Sequence, residues 1–202
     1  MKDIILGRRS IRKYTDYKIS NDELEKIIND ALRAPSSRNL QPVRLFVIKS
    51  KTAKEKLRPL LYGNQLQLDT ASHLILVTSD VNKYDDAHII FDRSVALGKM
   101  PIEVRNRHLE SFKSLEIDPN DTSYLNSLHL DAGLFSMNFM IVSRMYGYDT
   151  CAIGGFDKQH INQILGIPKR YLPVLLISIG KKDETGYESI RLSASEVTKY
   201  ID

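Results

Sequence analysis

The stretch from Thr122 to Tyr146 constrains this chain more than any other, because it reads as one long helix, apolar on most sides from Leu130 onward. Gly147 ends it. Its greasiest run, Leu134 to Met145, is interrupted by Ser136, Asn138, Ser143 and Arg144, and falls short of the roughly 18 uninterrupted apolar residues of a membrane span. Such a helix belongs at the buried centre of a fold. It has more surface to bury than one small sheet can cover, so a subunit interface is its natural second partner.

The rest of the chain supplies the cover. Residues 3–9 read as a short helix with Ile4, Ile5 and Leu6 on its inner side and Gly7 near its end. Ser20-Asn21-Asp22-Glu23 is a capping box with Ile19 and Leu24 as its staple. Leu24, Ile27, Ile28, Ala31 and Leu32 then recur at helical spacing until Pro35 stops the helix. Val43 to Ile48 reads as a strand. Thr52-Ala53-Lys54-Glu55 predicts a second capping box, opening a helix that carries Leu57, Leu60 and Leu61. Leu74 to Thr78 is a short, fully apolar strand, and residues 82–115 tend to helix with a weak period. Beyond the long helix come a strand at Asp149–Ile153, a helix capped by Asp157 and stopped by Gly166 and Pro168, and a strand at Val174–Ile179. From about residue 183 the chain is a polar, irregular arm. No repeat, low-complexity tract or linker divides it, so a single domain over residues 1–202 is expected. Helices and strands interleave without clean βαβ alternation, which predicts an α+β fold, a sheet covered by helices.

Composition excludes several classes. With 202 residues, 42% hydrophobic and 27% charged, the chain is ordinary globular material. A net charge of +4 suits an anionic ligand and falls short of a nucleic-acid-binding surface. Met1-Lys2-Asp3 leads straight into an amphipathic segment with no signal-peptide core. Cys151, the lone cysteine, cannot form an internal disulfide. It reads as a small buried hydrophobe, and a reducing, cytoplasmic setting fits.

Five constellations could carry chemistry. In Arg8-Arg9-Ser10-Ile11-Arg12, an extended backbone would point Ser10 and Arg12 to one side and let Ile11 anchor the other. Guanidinium forks beside a hydroxyl make a phosphate cradle, although an N-terminal basic cluster taken alone is more often a solvated face. Ala34-Pro35-Ser36-Ser37-Arg38-Asn39-Leu40-Gln41-Pro42 sets hydroxyls and amides, which donate and accept, on a loop stiffened by two prolines; by itself it is equally an ordinary turn. Asn64-Gln65-Leu66-Gln67 places amides on a helix, followed by His73, more naturally a structural histidine than a base. Gly154-Gly155, between a strand and a helix, lets backbone N–H groups approach a ligand closely. Arg191 stands late in the polar arm.

In this order and spacing, RRSIRKY, APSSRNLQP, N-x-x-Q with D-x-A-S-H, YGYDTCAIGGFD and the late Arg191 resemble the nitroreductase family of FMN enzymes over nearly the whole chain. The resemblance implies a mostly antiparallel sheet, a homodimer with the long helix at its interface, and FMN held between subunits. It implies Arg8, Arg9 and Arg191 toward the phosphate, Ser10 and Arg12 toward the ribityl chain and pyrimidine edge, and Asn64 at the isoalloxazine edge. Gly154 and Gly155 would face the central ring. Pro35, Ser36, Ser37, Asn39 and Gln41 would reach the flavin bound mainly by the other subunit.

There are departures. Gln67 stands where some members place a lysine beside the reduced flavin, which leaves Arg12 as the candidate stabiliser of that state. Ser189 stands where many have Lys, and Ala152 and Gly154 where some carry Pro and Glu. The implied chemistry is hydride transfer from NAD(P)H through flavin N5 to a small oxidised acceptor, such as a nitroaromatic or quinone, in ping-pong order. No obligatory catalytic side chain is expected, and no metal, since no Ser-His-Asp, HExxH or CxxC signature is present. Alternatives are a flavin reductase on the same scaffold and a non-catalytic FMN store or sensor. The acceptor pocket is expected from residues 100–125, with Phe112 and Tyr124 as candidates.

Overall fold

In the computed structural model, which describes residues 2–201, the chain forms α1 (Lys2–Leu6), α2 (Asn21–Ala31), β1 (Val43–Ile48), α3 (Lys51–Leu57), α4 (Gln65–Thr70), β2 (His73–Asp80), α5 (Ala87–Ala96), α6 (Ile102–Lys113), α7 (Thr122–Met145), β3 (Asp149–Ile153), α8 (Ile161–Leu165), β4 (Tyr171–Gly180) and α9 (Ala194–Val197). Met1 and Asp202, the ends of the expected domain, lie outside the described residues. The strands make one sheet in the order β1-β2-β4-β3, each neighbouring pair antiparallel. β2 is buried along its whole length, as its apolar run requires. Its alternation divides the core. Ile75 and Val77 join Ile177 and Ile179 against Ile27 of α2 and Phe135 and Phe139 of α7. Leu74, Leu76 and Leu176 face the other way, onto Leu57 of α3 and Ile161 of α8. Each such side chain, fully buried, stabilises the fold by about 1.5–3 kcal/mol.

Within the chain the long helix buries one side and leaves apolar surface over, as its composition predicts, whereas several other expectations need correction. Leu128, Ala132, Phe135 and Phe139 pack inward, while Leu130, Leu134, Met137 and Met145 form an exposed stripe at helical spacing. The expected inner side of α1 is also largely exposed: Ile5 and Leu6 face outward and only Ile4 is half-buried. α1 is nonetheless tied to α7, because Arg144 donates from Nε to the Ile4 carbonyl at 3.0 Å.

The cap of α3 is Ser50, whose Oγ accepts from Ala53 N–H, and Thr52 lies inside the first turn. Starting at Lys51, directly after β1, puts Leu57 fully into the core. α8 starts from His160, because Asp157 spends its carboxylate one turn earlier, accepting from Gln159 and His160 N–H. The arm is not wholly irregular, since Ser193 and Glu196 form a capping box over the single turn of α9. β2 and β4 extend beyond their expected ends. Residues 82–115 hold α5 and α6, which cluster around Leu40, Ala87 and Phe91. α6 buries no residue completely, which explains its weak period. Among the described residues no helix is long and apolar enough to cross a membrane.

Candidate functional site

The N-terminal basic segment runs beside the free edge of β3. Ser10 bridges Thr150 in parallel, and Ile11 N–H donates to the Thr150 carbonyl at 3.1 Å. Ile11 is buried against Tyr14 and Ala71, while Ser10 and Arg12 face a common cavity, as period-two alternation requires. That cavity, about 210 Å³, is lined by Arg8, Arg9, Ser10, Arg12, Tyr187, Glu188, Ser189 and Arg191. The late arginine therefore does join the early ones.

Gly186 makes this possible. It has φ +73°, and a Cβ there would lie 2.9 Å from Arg9 Cβ and 3.0 Å from Ile11 Cδ1, so only glycine lets the arm cross so close. Glu184 accepts from Arg12 N–H at 2.5 Å, and the Arg12 guanidinium sits over the Tyr187 ring, 5.2 Å from its centroid. Among the described residues, Arg8, Arg9, Arg12 and Arg191 form no ion pair with a carboxylate. The Arg9 and Arg191 guanidiniums touch only backbone carbonyls. Four cations facing one cavity, with Glu188 the single acid lining it, make a site for an anion such as phosphate.

Farther along β3 the chemistry changes from charge to amides. Gln67 is buried beside Cys151, its Nε2 4.0 Å from Sγ, and it donates to Asn64 Oδ1 at 3.1 Å. Asn64 in turn donates from Nδ2 to the Tyr62 carbonyl at 3.2 Å, and Tyr62 N–H donates to the Gly155 carbonyl. Gly154 and Gly155 are exposed, and a Cβ at Gly154 would meet open space. From Thr150 to Gly155 an extended backbone spans roughly 17 Å. An elongated ligand with an anionic end and a heteroaromatic end matches this edge, arginines at one end, amides and glycines at the other.

The Pro35–Gln41 loop is elsewhere. It precedes β1, the opposite edge of the sheet, three strand spacings or roughly 14 Å from β3. It also lies at the opposite end from the arginine cavity, although β3 runs toward it: Ile153 is in the row of Leu176, Leu76 and Phe46. Val43 is in the row of Ser79 and Leu172, Thr150 in that of Ile179 and His73, and His73 to Ser79 is roughly 20 Å of strand. Within the loop Ser36 Oγ accepts from Gln41 N–H at 3.0 Å, and Ser37 N–H donates to Asp131 Oδ1 at 2.9 Å. Arg38, Asn39 and Gln41 take φ of +52°, +56° and +47°, left-handed conformations that cost about 1–3 kcal/mol each in a residue with a side chain. Pro35 adjoins the exposed stripe of α7, sharing one groove with Leu130, Leu134 and Met137.

The acceptor-pocket candidates also fall on the loop side. Phe112 lies 5.4 Å beneath the Arg38 guanidinium, and Tyr124 donates its hydroxyl to the Val81 carbonyl at 2.6 Å. His73 is structural, as expected: it is buried on Ser72 Oγ, and burial, with the charge of Lys54 second, lowers its pKa to about 4. Cys151 is a buried free thiol. Sequence reasoning missed Gly186, Tyr187 and Glu184, which hold the arm, and Asp131, whose only signal is an acid at the head of an apolar helical run.

A four-stranded antiparallel sheet between helices, with a cationic cleft on one edge and a strained polar loop on the other, is a mixed α+β ligand-binding architecture. The chain belongs to the nitroreductase family, whose sequence model matches residues 5–181. It is 43% identical over 204 aligned positions to YdgI of Bacillus subtilis, a protein whose name places it among the NAD(P)H nitroreductases, covering 98% of this chain and 96% of that one. Among solved structures, a nitroreductase-type protein from Exiguobacterium sibiricum crystallised in complex with FMN superposes with a TM-score of 0.94 at 40% identity, over 99% and 96% of the two chains. An enone reductase, CLA-ER, superposes with a TM-score of 0.88 at 29% identity, over 99% and 97%. By sequence, the chain is 28% identical over 204 aligned positions to the CLA biosynthesis enone reductase of Lactiplantibacillus plantarum, over 100% of this chain and 94% of that one.

Proposed function

We propose that this chain is an FMN-dependent NAD(P)H oxidoreductase that works as a cytoplasmic homodimer, its sites built from both subunits. The observation that carries the reading is the cavity where four arginines, none paired with a carboxylate, meet at one end of an edge strand whose other end presents amides and glycines. What FMN supplies when bound is two-electron transfer from NAD(P)H to a small oxidised acceptor, a nitroaromatic or quinone, in ping-pong order.

The chain's own residues bind, orient and exclude water. Arg8, Arg9 and Arg191 neutralise the phosphate, and Ser10 and Arg12 hold the ribityl chain and pyrimidine edge. Asn64 and Gln67 read the ring edge by donating and accepting, and the Gly154–Gly155 backbone lies against the ring. Arg12 is the cation available to the reduced state, since Gln67 is neutral and turned to Asn64. Pro35, Ser36, Ser37, Asn39 and Gln41 of a second copy close the site. The exposed stripe of α7, continuous with Pro35, is the surface on which that copy would dock.

The test is direct. Purified protein should be yellow, carry close to one noncovalent FMN per chain, and bleach anaerobically on addition of NADH or NADPH. Colourless protein that also fails to take up FMN would contradict the binding assignment. Protein that binds FMN but never bleaches would be a store or sensor.

A further inference from the structure

We infer that Asp131 is a positioning residue for the flavin site: through Ser37 it holds the Ser36–Gln41 loop in the one conformation that can close the site of a second copy. The inference rests on the reading that this loop contacts FMN in that copy.

Asp131 is anomalous where it stands. It lies in α7 between Leu128, Ala132 and Phe135, 3% exposed, on the face that packs into the core. A buried carboxylate is costly unless paired, and Asp131 forms no ion pair among the described residues. Among the described residues Oδ2 has no hydrogen-bond partner. The ammonium of Lys83, itself buried, is held on Ser127 Oγ at 3.1 Å, one helical turn before Asp131. The direct bond Asp131 makes is to Ser37 N–H. A charge-assisted bond of this kind is stronger than a neutral one, and it lands at the first residue of the turn that carries the left-handed Arg38 and Asn39.

Those conformations persist only if the surroundings over-determine them. Among the described residues, the Arg38 guanidinium over the Phe112 ring ties the middle of the loop to the body, and three further ties flank it. Leu40 is buried with Ala87 and Phe91, Arg44 Nη1 donates to the Gln41 carbonyl at 2.8 Å, and Asp131 accepts from Ser37. The first two hold its end. Asp131 alone holds its beginning, where Ser36 and Ser37 are placed to meet the ligand. Without it the loop spends less time in the competent conformation, and apparent affinity falls in proportion.

The experiment compares Asp131→Ala and Asp131→Leu, which remove the acceptor, with Asp131→Asn, which keeps it and drops the charge. Leu keeps the branched four-atom skeleton of Asp, so one acceptor-free variant opens no cavity. FMN and riboflavin affinities and the bound-flavin absorption spectrum are read on the intact protein, beside an Asn39→Ala/Gln41→Ala variant. Loss of the Ser37 bond should weaken both flavins alike, by roughly ten- to a hundredfold, while Asp131→Asn stays within about threefold of wild type. A merely structural role would lower melting temperature and leave both affinities and the spectrum unchanged. That result, together with a loss in the Asn39→Ala/Gln41→Ala protein, overturns the role of Asp131. Unchanged binding in both proteins overturns the assignment of the loop itself.

Discussion

At the scale of single residues, the proposed site is a convergence of cations that have no carboxylate partner among the described residues. Arg191 is exposed and its guanidinium touches only the Ile190 carbonyl, yet the arm brings it into the cavity of Arg8, Arg9 and Arg12. Such a convergence of cations is repulsive without an anion. If Arg191 holds the phosphate, Arg191→Ala should weaken FMN binding by about 1.5–3 kcal/mol, the range for a hydrogen bond to a charged group. Riboflavin, which lacks the phosphate, should be little affected in the same titration. Equal losses for both flavins would give the arginine another role. The early arginines were legible because Ile11 between Ser10 and Arg12 is a two-residue period that any strand enforces. Arg191 was legible only through family resemblance. Gly186 and Tyr187 were not legible, since their meaning is a contact with Arg9, Ile11 and Arg12 at the other end of the chain.

Elements follow the same division between local and distant causes. α2, β1, α7 and β3 stand where expected: α2 has a capping box and helical spacing, β1 and β3 are short runs between turns, and α7 is one long apolar run ended by Gly147. α5 and α6 were blurred because they pack chiefly on each other and on Leu40 rather than on the sheet. Thr52-x-x-Glu55 is the better motif, and Ser50 is nonetheless the cap, because the short step from Ile48 to Lys51 sets where α3 must begin. Replacing Ser50 by Ala should therefore cost about 1 kcal/mol of stability, read as a lowered urea midpoint, whereas Thr52→Ala should change it by only a few tenths. The reverse ranking would move the helix start by half a turn.

For the whole molecule, the arginine cavity and the loop lie on opposite edges and opposite ends of one sheet, and Gly154–Gly155, nearer the loop's end, is still three strand spacings or roughly 14 Å from the loop's edge. The exposed stripe of α7 runs up to the loop, so a second copy packed on the stripe also meets Pro35. Two-fold symmetry then makes two identical sites, each with one chain's arginines and the other's loop. The direct measurement mixes and refolds two inactive proteins, an Arg8→Ala/Arg9→Ala chain and an Asn39→Ala/Gln41→Ala chain. Each heterodimer has one site carrying every substitution and one carrying none, so activity per heterodimer should recover to about half that of wild type. Heterodimers that form without recovering activity, or a dilute monomer that is fully active, would contradict the shared site.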